Sequence, residues 1–413
     1  MRQKHWAIFI DNTSRKNDLI DRLLGGQPPD DFQELKDRQG ALFSKIAVER
    51  LIDNEDRHGT KTITSHTRQS LKSMSSGEQK KALLKHIMEK RPDFLVLDNP
   101  FDNLDIDTQA ELKIQLLSVS NQIAMVQFIS RRIDLLPFIN IFGRLDGHSL
   151  SFFNTKKEAL AIEESKAFNG NIPPSPVSFS TENNILIDLK KVDVRYGSKP
   201  ILHQIDWTIR KGEFWELRGK NGSGKTTILS MITGENPKGY GQDLYIFGRK
   251  KGTGESVWEI KKKIGYFTPS MTDKFTGYHS VLHMLISGLT DSIGLYVKPT
   301  EIQSRTAKAW LQLLGLWEIK DTLFHDLSMG QKRLIMCARA MIKHPPLLIL
   351  DEPTAGLDDA SAALFVALVN KFASESQTTV LFVSHRKEPG LEPQHIYELR
   401  MTREGSTGKI IGL

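Results

Sequence analysis

One cysteine, Cys337, stands in a chain of 413 residues, and no apolar run approaches the length of a membrane span. A span needs about 18–20 apolar residues, and the N-terminus shows no signal-peptide core, so a cytoplasmic protein is expected. A single cysteine excludes a disulfide framework within the chain and suits a reducing compartment. It sits in the apolar stretch Leu334-Ile335-Met336 and reads as core. A strong charge of one sign is also missing. The formal net charge of +7 is compatible with RNA, with an anionic membrane surface or with a nucleotide, so it selects no partner. Runs such as Arg249-Lys250-Lys251 and Lys261-Lys262-Lys263 read as solvated faces. What remains is a globular composition, long enough for two domains with their own cores.

The most informative stretch is Gly219-Lys220-Asn221-Gly222-Ser223-Gly224-Lys225-Thr226, followed by Thr227. Apolar Phe214 to Leu217 precede it and Ile228 and Leu229 follow, which places it between a strand and a helix. Glycines permit positive φ and keep Cβ atoms away, so successive backbone N–H groups can face phosphate oxygens. The N-terminus of the following helix favours the same anion. In such a cradle Lys225 reaches the β- and γ-phosphates, and the Thr226 hydroxyl ligates Mg²⁺. This is a nucleotide-binding pattern.

The chain also repeats itself. Residues 92–99 (Pro-Asp-Phe-Leu-Val-Leu-Asp-Asn) and 345–352 (Pro-Pro-Leu-Leu-Ile-Leu-Asp-Glu) each read as a buried strand ending in an acidic residue. Met74-Ser75-Ser76-Gly77-Glu78 matches Leu327-Ser328-Met329-Gly330-Gln331, and Asn103-Leu104-Asp105 matches Gly356-Leu357-Asp358. All three pairs keep one offset (77 to 330, 98 to 351, 105 to 358), while Trp6 falls under Trp215. The expected organisation is two copies of one α/β unit, at 1–167 and 185–413. A Pro-, Ser- and Asn-rich linker covers 168–184, and one closing helix is expected over 156–167. Residues 185–218 alternate as antiparallel strands do, and 271–326 read as a mostly helical insert.

Phosphate loop, Leu-Ser-x-Gly-Gln element and strand-Asp-Glu, in this order and spacing, resemble the ATP-binding cassette (ABC) ATPases. The resemblance covers nearly the whole chain and implies two P-loop cassettes in tandem, each with a mostly helical insert. A fused pair without membrane spans is most similar to tandem cassettes of the molybdenum-transport or photorepair type. In the family, ATP lies between the phosphate loop of one cassette and the signature of the other. By that resemblance Asp351 holds Mg²⁺, Glu352 polarises the attacking water, His385 contacts the γ-phosphate and Tyr196 stacks on adenine. The family's glutamine after the strand Ile264 to Phe267 is replaced by Thr268-Pro269-Ser270, leaving Thr268 and Ser270 as the hydroxyls available there.

The first copy is truncated and degenerate. Under the phosphate loop it reads Ile10-Asp11-Asn12-Thr13-Ser14-Arg15-Lys16-Asn17, with every glycine gone. Thr13 and Arg15 in left-handed conformations would each cost about 1–2 kcal/mol. Lys16 reads as a surface lysine, Asn99 replaces the glutamate and Arg131 the histidine, so this half should not hydrolyse ATP. Its signature residues Ser75, Ser76 and Gly77 survive and can offer hydroxyl and backbone donors to a γ-phosphate. One composite site per chain is therefore expected, formed by pairing of the two halves or by a dimer of chains. The resemblance implies separate integral-membrane permease subunits at the inner face of the membrane. The rival is a soluble factor acting on ribosomes or nucleic acid, or a regulator that binds ATP.

Overall fold

The computed structural model describes residues 3–59, 61, 63, 69–161, 168–179, 183–275 and 277–412. The chain divides into two compact units, Met1–Glu164 with Gly356–Asp359, and Ser165–Ala355 with Ala360–Leu413.

In the first unit the strands are β1 (His5–Ile10), β2 (Gly40–Phe43), β3 (Phe94–Asp98), β4 (Ala124–Ile129), β5 (Ile141–Asp146) and β6 (Ser149–Phe153). They form one sheet in the order β2-β3-β4-β1-β5-β6, parallel except for the β5–β6 hairpin. Alternate side chains go to opposite faces. Ala7 and Phe9 join Leu95, Leu97 and Met125 on one side, whereas Trp6, Ile8 and Ile10 join Phe94, Val96 and Val126 on the other. A strand covered on both faces reads as a continuous apolar run, as β3 does. The helices are α1 (Lys16–Leu24), α2 (Lys45–His58), α3 (Ser76–Glu89), α4 (Ile106–Val119) and α5 (Lys156–Ala159). The closing helix is thus one short turn where it is described, and the rest of its expected span, 162–167, lies outside the described residues.

The second unit opens with β7 (Ile185–Tyr196) and β8 (Lys199–Arg210), a long antiparallel hairpin. Next come β9 (Phe214–Gly219), α6 (Lys225–Ile232), β10 (Leu244–Ile246), β11 (Arg249–Lys250), α7 (Val257–Lys262) and β12 (Ile264–Phe267). The helical insert contains α8 (Pro269–Lys274), α9 (Val281–Ile286) and α10 (Glu301–Leu313). After it follow α11 (Met329–Met341), β13 (Leu347–Asp351), α12 (Asp359–Glu375), β14 (Thr379–Ser384), β15 (His395–Arg400) and β16 (Thr407–Ile411). One four-stranded sheet runs β11-β10-β7-β8, and a six-stranded sheet runs β12-β13-β14-β9-β15-β16. Of the stretch read as antiparallel, only β7 and β8 pair that way. Strand β9 instead lies parallel between β14 and β15 at the centre of the larger sheet.

Strand for strand, the larger sheet repeats that of the first unit. This is the tandem α/β architecture: α2 stands between β2 and α3 in the first unit where the second has α8 to α10, and the opening hairpin β7–β8 belongs to the second unit. The Pro-rich stretch is not a free tether. Ile172 N–H donates to Glu375 (2.8 Å), the Ser175 hydroxyl to the Lys343 carbonyl (2.9 Å), and His344 Nε2 pairs with the Pro173 carbonyl (2.8 Å). Its residues 180–182 lie outside the described ones.

Candidate functional site

Strands β13, β14 and β9 are parallel neighbours, so Asp351, Ser384 and Gly219 end on the same edge of the sheet. In an open α/β sheet this carboxyl edge is where ligands bind. The loop after β9 turns through Gly222 (φ +80°) and Gly224 (φ +94°) before α6 begins at Lys225. A Cβ on Gly224 would lie 2.6 Å from Leu202 Cδ2, so position and conformation both demand glycine. The Ser223 hydroxyl is fully buried without a hydrogen-bond partner in the protein. Lys225 folds back over the loop, and its ammonium donates to the carbonyls of Gly219 (2.7 Å) and Lys220 (3.2 Å). Thr226 is exposed in the first turn of α6 and Thr227 half-buried beside it, while Lys220 and Asn221 flank the entry of the loop.

Burial first, and then the neighbouring Glu352, push the Asp351 carboxyl up to about 6. A carboxylate crowded in this way is stabilised by a cation. Among the described residues no group of three or more His, Cys, Asp or Glu side chains could cage a metal. A carboxylate and a hydroxyl, as Asp351 and Thr226 offer, are the hard oxygen donors that Mg²⁺ takes beside phosphate oxygens and water. The Tyr266 hydroxyl donates to Asp351 Oδ2 at 3.4 Å.

Glu352 adopts φ +49°, a conformation that costs a non-glycine residue of order 1–3 kcal/mol. It is held there by its own N–H on the Val383 carbonyl (2.9 Å) and by His385 Nδ1, 3.3 Å from Oε1. Burial raises its carboxyl, but the His385 contact and the Lys225 and Arg386 charges bring it below the ordinary glutamate range. It is an ionised acceptor. Beside Glu352 and His385 lies a cavity of about 10 Å³, also lined by Thr354, Ser384 and Arg386, with room for about one water molecule. Tyr196, at the end of β7, keeps 47% of its surface exposed, and its hydroxyl accepts from Asn236 Nδ2 (2.8 Å). Thr268 precedes α8 without a side-chain capping bond, and Ser270 is exposed.

Tyr266 was not among the sequence candidates, although its place at the end of β12, beside the acidic strand, is a readable signal. The buried pair formed by Ser384 Oγ and Glu216 Oε1 (2.9 Å), which anchors the residue before His385, carries no such signal.

The first unit holds the equivalent positions differently. Neither Thr13 nor Arg15 takes positive φ (Arg15 lies at −86°), so the expected left-handed strain does not arise. The loop refolds around Asp11, whose Oδ1 accepts from the backbone N–H and the hydroxyl of both Thr13 (2.8 and 2.7 Å) and Ser14 (2.9 and 2.9 Å). Partial burial raises the Asp11 carboxyl, and these four donors pull it below the usual range. The Arg15 N–H goes to the Gly147 carbonyl (2.8 Å). Lys16 is no ordinary surface lysine: it is 28% exposed and pairs at 2.6 Å with Asp98, itself 8% exposed. Register also corrects the histidine's counterpart. Asp98 faces Phe128 as Asp351 faces Val383, which puts Ser130, not Arg131, at the position of His385. Ser130 N–H and hydroxyl both donate to Asn99 Oδ1 (3.0 and 3.1 Å). Ser75 caps α3 in a capping box with Glu78, and Ser76 donates to the Asn103 carbonyl (3.0 Å). A Cβ on Gly77 would meet Thr108 Cγ2 at 2.7 Å.

Comparison with known proteins places the chain in a family. Residues 202–355 match the family described as ABC transporter. The ABC transporter ATP-binding protein ModF of Escherichia coli (strain K12) is 37% identical over 339 residues, covering 79% of this chain and 69% of that protein. An uncharacterized ABC transporter ATP-binding protein of Schizosaccharomyces pombe, C323.04, is 30% identical over 327 residues, covering 77% and 66%. The archaeal ribosome recycling factor aABCE1, solved with ribosomal stalk protein aP1, aligns with all of this chain and 86% of its own (TM-score 0.63, 16% identity). At that identity the likeness concerns the fold alone.

Proposed function

The chain belongs to the ABC transporter ATPase family, and we propose that it hydrolyses ATP at one site, built on the second cassette. The observation that carries this is the ionised Glu352, paired with His385 beside a water-sized cavity at the edge that bears the glycine loop. The loop from Gly219 to Thr227 would receive the phosphates, with Lys225 neutralising charge on the β- and γ-groups and Tyr196 stacking on the base. Thr226 and Asp351 would hold Mg²⁺, which when bound withdraws charge from the phosphate oxygens. Glu352 takes the proton of a water whose oxygen attacks the γ-phosphorus. The bond from that phosphorus to the β–γ bridging oxygen breaks, and ADP leaves with its electron pair. His385 keeps Glu352 oriented through Nδ1 and would contact the γ-phosphoryl oxygens with its other ring nitrogen.

Ser75, Ser76 and Gly77 of the first cassette would complete the site, within one chain or between two copies. The cassettes are assigned to 1–167 and 185–413, joined by 168–184. The cycle of ATP binding and release would energise transport through separate integral-membrane subunits, from the cytoplasmic side. The name of the relative ModF, an ABC transporter ATP-binding protein, supports this reading; no helix among the described residues is long and apolar enough to cross a membrane. The test uses Glu352→Gln, which should retain ATP without turnover. Purified with ATP and Mg²⁺ from gently solubilised source cells, it should bind one ATP per chain and bring down integral-membrane proteins. Ribosomes or RNA in their place would overturn the transport reading.

A further inference from the structure

The ring assigned to the base is held by a side chain that no motif singles out. Asn236 lies just beyond α6, buried, and its amide oxygen accepts the Lys238 backbone N–H at 3.0 Å. A backbone N–H can only donate, so the oxygen must face it and the NH₂ group must point away. That group donates to the Tyr196 hydroxyl (2.8 Å) and to the Ser230 hydroxyl on α6 (3.0 Å), while Asn236 N–H donates to the Ser230 carbonyl (2.9 Å). Tyr196 belongs to the antiparallel sheet, and α6 is the helix that begins with Lys225 and Thr226. The amide therefore braces the ring against the helix that carries the phosphate loop. The Lys238 ammonium lies 5.7 Å from the ring centroid and restrains the ring further. Capping the short turn at Pro237–Gly239 uses only the amide oxygen. The two side-chain bonds made by the NH₂ group exceed what a cap needs.

We propose that Asn236 is a positioning residue for nucleobase recognition, fixing the Tyr196 ring at a set distance from the phosphate loop. The inference rests on the reading of the second cassette as the ATP site. An exposed aromatic side chain that rotates freely must be ordered when the base arrives, whereas a braced ring is already in place.

The test compares binding of ATP and of inorganic triphosphate, which has no base, in the Glu352→Gln background. Tyr196→Phe keeps the ring and the cap and removes only the hydroxyl. It and Asn236→Ala should each weaken ATP by about 2- to 10-fold, the range expected for one hydrogen bond. Triphosphate affinity should not change. The double variant should be no weaker than Asn236→Ala alone, because the bond that Tyr196→Phe removes is already lost there. With Glu352 intact, the loss should appear in KM and not in kcat. Tyr196→Ala separates the two ideas and should weaken ATP at least about 5-fold through lost stacking. If Tyr196→Ala weakens ATP while Tyr196→Phe and Asn236→Ala bind normally, the positioning role is overturned and stacking stands. If Tyr196→Ala binds ATP normally, both fall. Equal loss of ATP and triphosphate in Asn236→Ala would reduce Asn236 to a structural cap.

Discussion

Two loops leave equivalent central strands, enter equivalent helices and end at a lysine, yet they treat an anion in opposite ways. The loop after β9 uses glycines at positive φ and leaves the buried Ser223 hydroxyl without a partner in the protein. The loop after β1 contains its own anion, Asp11, which collects the N–H and hydroxyl donors of Thr13 and Ser14. The difference continues around the edge of each sheet. Lys16 is paired with Asp98 and Asn99 is tied to Ser130, whereas Asp351 is crowded by Glu352 and Glu352 faces His385. The first cassette is thus electrostatically closed, each polar group that could meet a nucleotide being matched by a neighbour. The second crowds two carboxylates, Asp351 and Glu352, at the sheet edge that carries the glycine loop, while the backbone is strained alike at Glu352 (φ +49°) and Asn99 (φ +43°).

The largest contrast should lie in turnover. Glu352→Gln removes a general base and should lower ATP hydrolysis by about 10²–10⁴-fold, whereas Asn99→Ala at the equivalent position should leave the rate within about twofold. Ser75→Arg tests whether the first cassette lends its signature to the second, and should lower steady-state phosphate release nearly as far as Glu352→Gln. Full activity of Ser75→Arg would remove the composite site. A large loss in Asn99→Ala would mean that the closed half takes part in the chemistry.

Much of this contrast was legible in the residues themselves. The constant offset between the copies follows from the strands they share, and the missing glycines of the first loop mark the half without a phosphate cradle. Its actual conformation was not legible. Sequence could place Thr13 and Arg15 where glycine belongs, but only the fold shows that Asp11 turns inward and lets both keep ordinary φ. Lys16 looked like a surface residue because its partner, Asp98, is 82 positions away and meets it only through the sheet. Arg131 falls opposite His385 by motif alone, but the offset between the copies grows from 253 at β3 and β13 to 255 at β4 and β14, a shift visible only in strand register. Tyr266 and Asn236 escaped notice because each acts on a neighbour already singled out and neither belongs to a motif.

Stability should change with opposite sign at the paired aspartates. Asp98→Asn leaves the Lys16 ammonium without its carboxylate and should destabilise the protein by about 1–3 kcal/mol. Asp351 is raised to about 6 by burial and by Glu352, so its ionisation opposes folding. Stability tied to that proton is fully present below the ordinary carboxylate range and is lost as pH rises through about 6. Asp351→Asn should therefore stabilise the nucleotide-free protein by about 1–3 kcal/mol at pH 7.5, with about half of the gain left at pH 5 and none below the ordinary carboxylate range. Denaturant titrations at the two pH values check this. A stabilising Asp98→Asn, or an Asp351→Asn whose effect ignores pH, would break the comparison.

The smallest expected difference concerns the loop backbones. Gly224→Ala must hold φ near +94° and place a Cβ 2.6 Å from Leu202 Cδ2, so it should cost about 2 kcal/mol and weaken ATP binding as the loop shifts. Arg15→Gly restores the family's residue type at the equivalent place. Since Arg15 is exposed at φ −86°, the glycine brings no relief of strain and adds only unfolded-state entropy, a loss of about 0.5–1 kcal/mol. Nor should it create a phosphate site, because Asp11 still holds the donors of Thr13 and Ser14. If Arg15→Gly instead stabilised the chain or let the first cassette retain ATP, the missing glycine and not the internal carboxylate would be what closes that half. Pairing Arg15→Gly with Asp11→Gly then distinguishes the two causes. Anion binding should appear only when the carboxylate is gone.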